Sequence, residues 1–267
     1  MLAFRFDVDT RAGLVDRTPP LLDLLDSHGI RATFFVVMGH EAHLGEIVRL
    51  RFLAPKETKA RLNVAAKGGI VRVARAALLP RGVGHRHPGL LRDVIRRGHE
   101  LQPHGWSHIQ WQRNLHCVDV PRHLRLAREA LTSVTGREAD GWASPGRSSD
   151  EGVLRALDEA GVRYAGDLDG EEPFVPCGHA HLQLPVTRFE TIAQMRARGL
   201  SDDRIVATYL DDVAGHPSYC CLYEHPDDLG PAELAVFDRV FTTVRASGRE
   251  VLTLGEVATR VGTNPSQ

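Results

Sequence analysis

Eight short apolar runs alternate with helix-patterned stretches along this 267-residue chain, and that alternation restricts the fold more than any other feature. The strand-like runs are 3–8, 32–37, 100–103, 141–144, 162–166, 182–186, 219–222 and 250–254, several of them rich in Phe, Val, Leu or Tyr. Between them stand helix candidates with their own punctuation. Pro19 and Pro20 open one that stops at Gly29, and 88–98, 121–136, 149–161, 201–213 and 231–248 each begin at Pro or Ser. Repeated strand–helix order predicts an α/β fold with a parallel sheet. Eight such units in a chain of this length predict a (β/α) barrel, whose reactive residues sit at the C-terminal ends of the strands.

With 42% hydrophobic residues the chain can bury a full core, which excludes a disordered protein. Four cysteines, Cys117, Cys177, Cys220 and Cys221, show no CxxC spacing, which argues against a disulfide scaffold and a zinc knuckle and for a reducing compartment. The opening MLAFRFDVDT carries charge by its fifth residue and lacks an apolar stretch with a small-residue cleavage site, so a cytoplasmic protein is expected.

Charge is unevenly spread. From about 47 to 87 there are ten Lys or Arg against one acid, a net +9 in a chain whose total is −1. IVRVARAALLP sets Ile70, Val73 and Ala77 on one side of a helix and Arg72 and Arg75 on another. That pattern suits a membrane interface or an anionic partner, and equally a solvated, arginine-rich helical insertion. Nucleic acid is disfavoured, because almost no aromatics interleave the basic residues.

Two clusters at strand ends carry chemistry. Asp7-Val8-Asp9 follows AFRF, and two carboxylates so spaced either cap a turn or divide the work of holding a cation and accepting a proton. In HELQPHGWSHIQW, His104 and His108 stand four apart, so a turn of helix beginning there brings both rings to one side. Two His and one Asp make a ligand set that leaves positions open for water and substrate. Zinc is the expected ion, and the same donors accept cobalt, manganese or iron.

FDVDT, HELQPHGWSH and LYEHP resemble the motifs of polysaccharide deacetylases with the NodB homology domain, carbohydrate esterase family four. More narrowly, FDVDTRAG, LLDLLDSHGIRATFFVVMG, the basic insertion, HGWSHIQWQ, RYAGD and LPVT resemble the bacterial deformylases that act on 4-deoxy-4-formamido-L-arabinose carried by undecaprenyl phosphate. The resemblance implies a distorted (β/α) barrel of the NodB-homology type over 1–262, with the basic helical insertion at about 47–87 and a frayed tail at 263–267. It implies Asp9, His104 and His108 as metal ligands, Asp7 as general base, His225 as general acid and Asp167 as the residue that orients His225. Outside the family, His225 reads as a surface histidine before a turn. The family's usual arginine, which pairs with the base, is followed by two prolines. Here the matching stretch is Trp142-Ala143-Ser144-Pro145-Gly146-Arg147, so Arg147 is the candidate partner for Asp7, or else an exposed residue at a helix start. Trp106, Trp111 and Trp142 are aromatic candidates for a sugar pocket or for the core, with Trp106 and Trp142 taken as the substrate contacts.

The expected activity is removal of an N-formyl or N-acetyl group from an amino sugar by a metal-dependent amidohydrolase. The substrate implied is one linked to undecaprenyl phosphate, met at the cytoplasmic membrane face, with Arg72 and Arg75 in contact with lipid. Two alternatives stand beside it. One is a deacetylase of soluble or polymeric amino sugars, and the other is a metal-binding protein of this fold with little turnover.

Overall fold

The computed structural model describes residues 1–40 and 82–262. Most of the basic stretch, Arg72 and Arg75 included, lies outside the described residues, as does the tail 263–267. His40 and Gly82 form an antiparallel bridge, so the chain departs and returns at neighbouring points.

Among the described residues seven strands are found. These are β1 (Leu2–Val8), β2 (Thr33–Val36), β3 (Glu100–Pro103), β4 (Gly141–Trp142), β5 (Tyr164–Ala165), β6 (Leu182–Gln183) and β7 (Cys220–Glu224). All their pairings are parallel, in two sheets ordered β3-β2-β1-β7 and β4-β5-β6. The sheets meet at two seams. Ala143 N donates to Pro103 O at 3.4 Å, and Thr187 N donates to Cys221 O at 3.1 Å beside a parallel bridge of Arg188 with Leu222. The ring is therefore a barrel stitched thinly at two places. The eighth run contributes only a bridge from Val251 to Leu2, because the chain turns at once into the last helix.

The described helices are α1 (Thr18–Ser27), α2 (Pro88–Arg96), α3 (His108–Asn114), α4 (Val120–Thr135), α5 (Glu151–Glu159), α6 (Ile192–Ala197), α7 (Asp202–Gly215), α8 (Pro231–Ala246) and α9 (Leu254–Gly262), of which α3, α6 and α9 lie outside the six stretches marked by Pro, Ser and Gly in the sequence. Side-chain oxygens of Asp119, Asp150 and Ser201 cap α4, α5 and α7 by accepting from backbone N–H groups of the first turn. No described helix is long and apolar enough to cross a membrane.

Strand parity divides the core. In β1 every residue is buried, and Leu2, Phe4, Phe6 and Val8 pack into the layer beneath the helices. There Phe4 meets Phe241 edge-on at 4.9 Å and Phe6 stacks on Phe34 at 5.3 Å. The alternate residues face the barrel interior, where Ala3 packs with Phe35, Tyr164 and Cys221. Arg5 and Asp7 share that parity, so the strand that anchors the core also carries charge into the barrel.

Candidate active site

The groups singled out in the sequence gather at the C-terminal ends of the strands. Asp7 and Asp9 close β1, His104 follows β3, Asp167 follows β5 and His225 follows β7, and Ser144, which the sequence did not single out, joins them after β4.

The four-residue spacing predicts one turn of helix carrying both His104 and His108, and the structure does not form it. α3 begins only at His108, and the loop from 104 to 107 turns the two rings toward each other, their centroids 5.5 Å apart. Gly105 makes that loop possible: its φ is +76°, and a Cβ there would lie 2.8 Å from the Pro145 ring. Asp9 Oδ1 lies 3.4 Å from Nε2 of both His104 and His108. That oxygen is buried and accepts no hydrogen bond. A buried carboxylate oxygen facing two imidazole nitrogens is costly unless something positive completes it. Behind His104, Nδ1 lies 2.9 Å from Ala143 O, so Nδ1 carries the proton and Nε2 offers its lone pair toward Asp9. These three residues fit a divalent cation.

The charges are consistent with that fit. Burial raises Asp9, but His108, His225 and His104 outweigh it and hold the carboxyl far below its usual range. Burial pushes His108 down to about 4, leaving a neutral ring at pH 7. Burial also lowers His104, yet Asp7 and Asp9 raise it above its ordinary value. Asp7 would be raised by burial, and Arg5 and His104 bring it below the ordinary carboxyl value, so it is ionised at neutral pH.

Two expected contacts are replaced by others. Asp7 is not paired with Arg147: Arg5 Nε donates to Asp7 Oδ1 at 2.8 Å and Arg5 Nη2 to Oδ2 at 2.7 Å. Arg147 instead bonds Asp169 and stacks on the Phe189 ring at 3.6 Å, its backbone in the left-handed region at φ +53°. Asp167 does not orient His225, since its oxygens accept from Ser144 N at 2.6 Å and Ser144 Oγ at 2.7 Å. His225 Nε2 lies 2.7 Å from the Tyr223 hydroxyl and 3.6 Å from Asp9 Oδ2, while Nδ1 is buried with no hydrogen bond.

The aromatics also separate. Trp142 is fully buried against Trp111 with Nε1 donating to Ser144 Oγ at 3.0 Å, so it has no free face for a sugar. Trp111 is likewise enclosed. Trp106 keeps partial exposure in the loop between the two histidines, stacked on His85. Sequence reasoning missed Arg5 and Tyr223. The signal for Arg5 was present, for an arginine inside the apolar run AFRF must be paired if buried, and Asp7 shares its parity.

Two imidazoles and a carboxylate beside a second, ionised aspartate, at the strand ends of a parallel α/β barrel, make a donor set that could hold a divalent cation. The chain belongs to the polysaccharide deacetylase family, whose model matches residues 1–165. A probable 4-deoxy-4-formamido-L-arabinose-phosphoundecaprenol deformylase, ArnD, from Shewanella sediminis is 27% identical over 193 residues, covering 70% of this chain and 62% of the relative. The chain thus spans under two thirds of that relative's length. A polysaccharide deacetylase structure from Mycobacterium smegmatis superposes with a TM-score of 0.68 at 20% identity over 98% of this chain and 90% of the other. Another from Pseudomonas aeruginosa gives 0.69 at 16% identity over 100% and 92%. Both share the fold.

Proposed function

We propose that this protein is a metal-dependent hydrolase that removes an N-formyl or N-acetyl group from an amino sugar. The observation that carries the proposal is Asp9 Oδ1, buried without a hydrogen bond and 3.4 Å from each of two imidazole nitrogens. Asp9, His104 and His108 would hold the ion, zinc first among the candidates with cobalt, manganese and iron behind it. When bound, a divalent cation there polarises an amide carbonyl and lowers the pKa of water.

The remaining chemistry belongs to the chain. Asp7, ionised and with Oδ2 3.7 Å from His104 Nε2, takes the proton from the attacking water. His225, facing Asp9 from the end of β7, gives a proton to the departing amine. Trp106 is the aromatic left to meet the sugar.

The relative's name supports a formamido sugar carried on undecaprenyl phosphate as the substrate. The net +9 stretch suits that carrier, because each Lys or Arg near an anionic membrane contributes about 1 kcal/mol of attraction. Work at the cytoplasmic membrane face follows from the same reading. The test is amine release from N-formylated and N-acetylated amino sugars, each with and without a polyprenyl-phosphate anchor. Release that requires the anchor and prefers formyl supports the lipid-linked deformylase. Release from unanchored acetylated sugars alone replaces it with a deacetylase of soluble or polymeric sugars.

A further inference from the structure

We infer that Arg5 is the positioning residue for Asp7, gripping its carboxylate from inside the barrel wall so that one oxygen is aimed at the metal-ligand cluster. The inference rests on the reading of Asp7 as the base. Arg5 is wholly buried, and each of its three nitrogens has a partner: Nε and Nη2 hold the two oxygens of Asp7, and Nη1 donates to Gly166 O at 2.5 Å. Two parallel N–H···O bonds fix the plane of a carboxylate as well as its place. A single bond would leave it free to turn.

The grip is itself held. The guanidinium lies over the Phe35 ring at 4.9 Å and near the Tyr223 ring at 5.5 Å. Gly166 leaves the room it needs, for a Cβ at that position would lie 2.4 Å from Arg5 Nη1. The partnership follows from strand geometry, since residues two apart on β1 face the same side. With Asp7 so clasped, Oδ2 lies 3.7 Å from His104 Nε2, within reach of a water shared with the three-residue ligand set. Arg147, committed to Asp169 and Phe189, is left out of this arrangement.

Lysine at position 5 would keep the charge and lose the fork, which separates aim from electrostatics. Arg5→Lys is expected to lower kcat at least tenfold on an N-formyl amino sugar, with KM and zinc stoichiometry unchanged. Arg5→Met, with Arg5→Met/Asp7→Asn as the check on folding, is expected to lose turnover and keep zinc. Crystal structures of the zinc-loaded wild type and Arg5→Lys give a readout independent of turnover: the Asp7 carboxylate should rotate away from His104 while Asp9, His104 and His108 stay in place. An Asp7 that keeps its orientation in Arg5→Lys, or a variant with wild-type kcat, overturns the inference. A wild type that hydrolyses no N-acyl sugar overturns the activity instead, and the crystal comparison still decides the role of Arg5.

Discussion

His104 donates its Nδ1 proton to the Ala143 carbonyl across 2.9 Å, and that bond decides which face of the ring meets Asp9. It ties the end of β3 to the residue after β4, at the seam where the two sheets barely touch. The free Nε2 lone pair is the one 3.4 Å from Asp9 Oδ1. Because His104 is held above its ordinary value by Asp7 and Asp9 against the effect of burial, protons compete with metal at this ring. His108, at about 4, does not compete at neutral pH. Zinc affinity is therefore expected to fall as the pH drops through the raised value of His104, and His108→Ala to retain almost no zinc after gel filtration. Metal titrations from pH 5 to 8 check both.

Gly105→Ala tests the turn that brings the histidines together. The left-handed backbone alone costs a non-glycine residue roughly 1–2 kcal/mol. The added methyl also meets the Pro145 ring at 2.8 Å, where rigid proline cannot yield easily. A lowered melting temperature together with weaker zinc binding is expected, since relief of the clash must move the residue next to His104. Unchanged zinc affinity would mean the loop adapts elsewhere.

Glu224 sets an alkaline limit on stability. Burial pushes its carboxyl up to about 8, offset in part by bonds from Tyr209 and the Ile192 N–H. Its folded value exceeds its unfolded value, so its contribution is complete below about pH 4.5 and is lost as the pH rises through about 8. Glu224→Gln keeps the shape without the proton to lose. Between about pH 4.5 and 8 its urea midpoint should hold steady, while that of the wild type declines.

Neutralising Arg72 and Arg75 is expected to weaken binding to anionic vesicles and leave hydrolysis of a soluble analogue intact. Sedimentation with vesicles and an amine-release assay separate the two effects. Equal loss of both would remove these arginines from any docking role.

Much of this architecture was legible because β1 and its neighbours are apolar runs bounded by Pro and Gly, and because Asp7, Asp9, His104 and His108 stand at strand ends. The partners were harder to read. Arg147 lies in the stretch that matches the family's arginine motif, yet its left-handed backbone and the Phe189 ring draw it to Asp169. Asp167 and His225 stand in the expected order along the chain, but Ser144 occupies both oxygens of Asp167. Trp142 has the composition of a sugar platform and the parity of a core residue, and burial decides for the core. Motif spacing fixes which residues reach the barrel mouth. Which of them bond is decided by side chains from distant strands.

In the proposed function, Asp9, His104 and His108 hold the ion that makes amide hydrolysis possible. The most direct test of that assignment is amine release from an N-formyl amino sugar carried on polyprenyl phosphate, measured against bound zinc for chelator-stripped wild type and for Asp9→Asn. Wild-type release is expected to rise in step with zinc up to one equivalent at this site, and Asp9→Asn to show neither tight zinc nor release. Full release from the stripped wild type, or from Asp9→Asn, would contradict it.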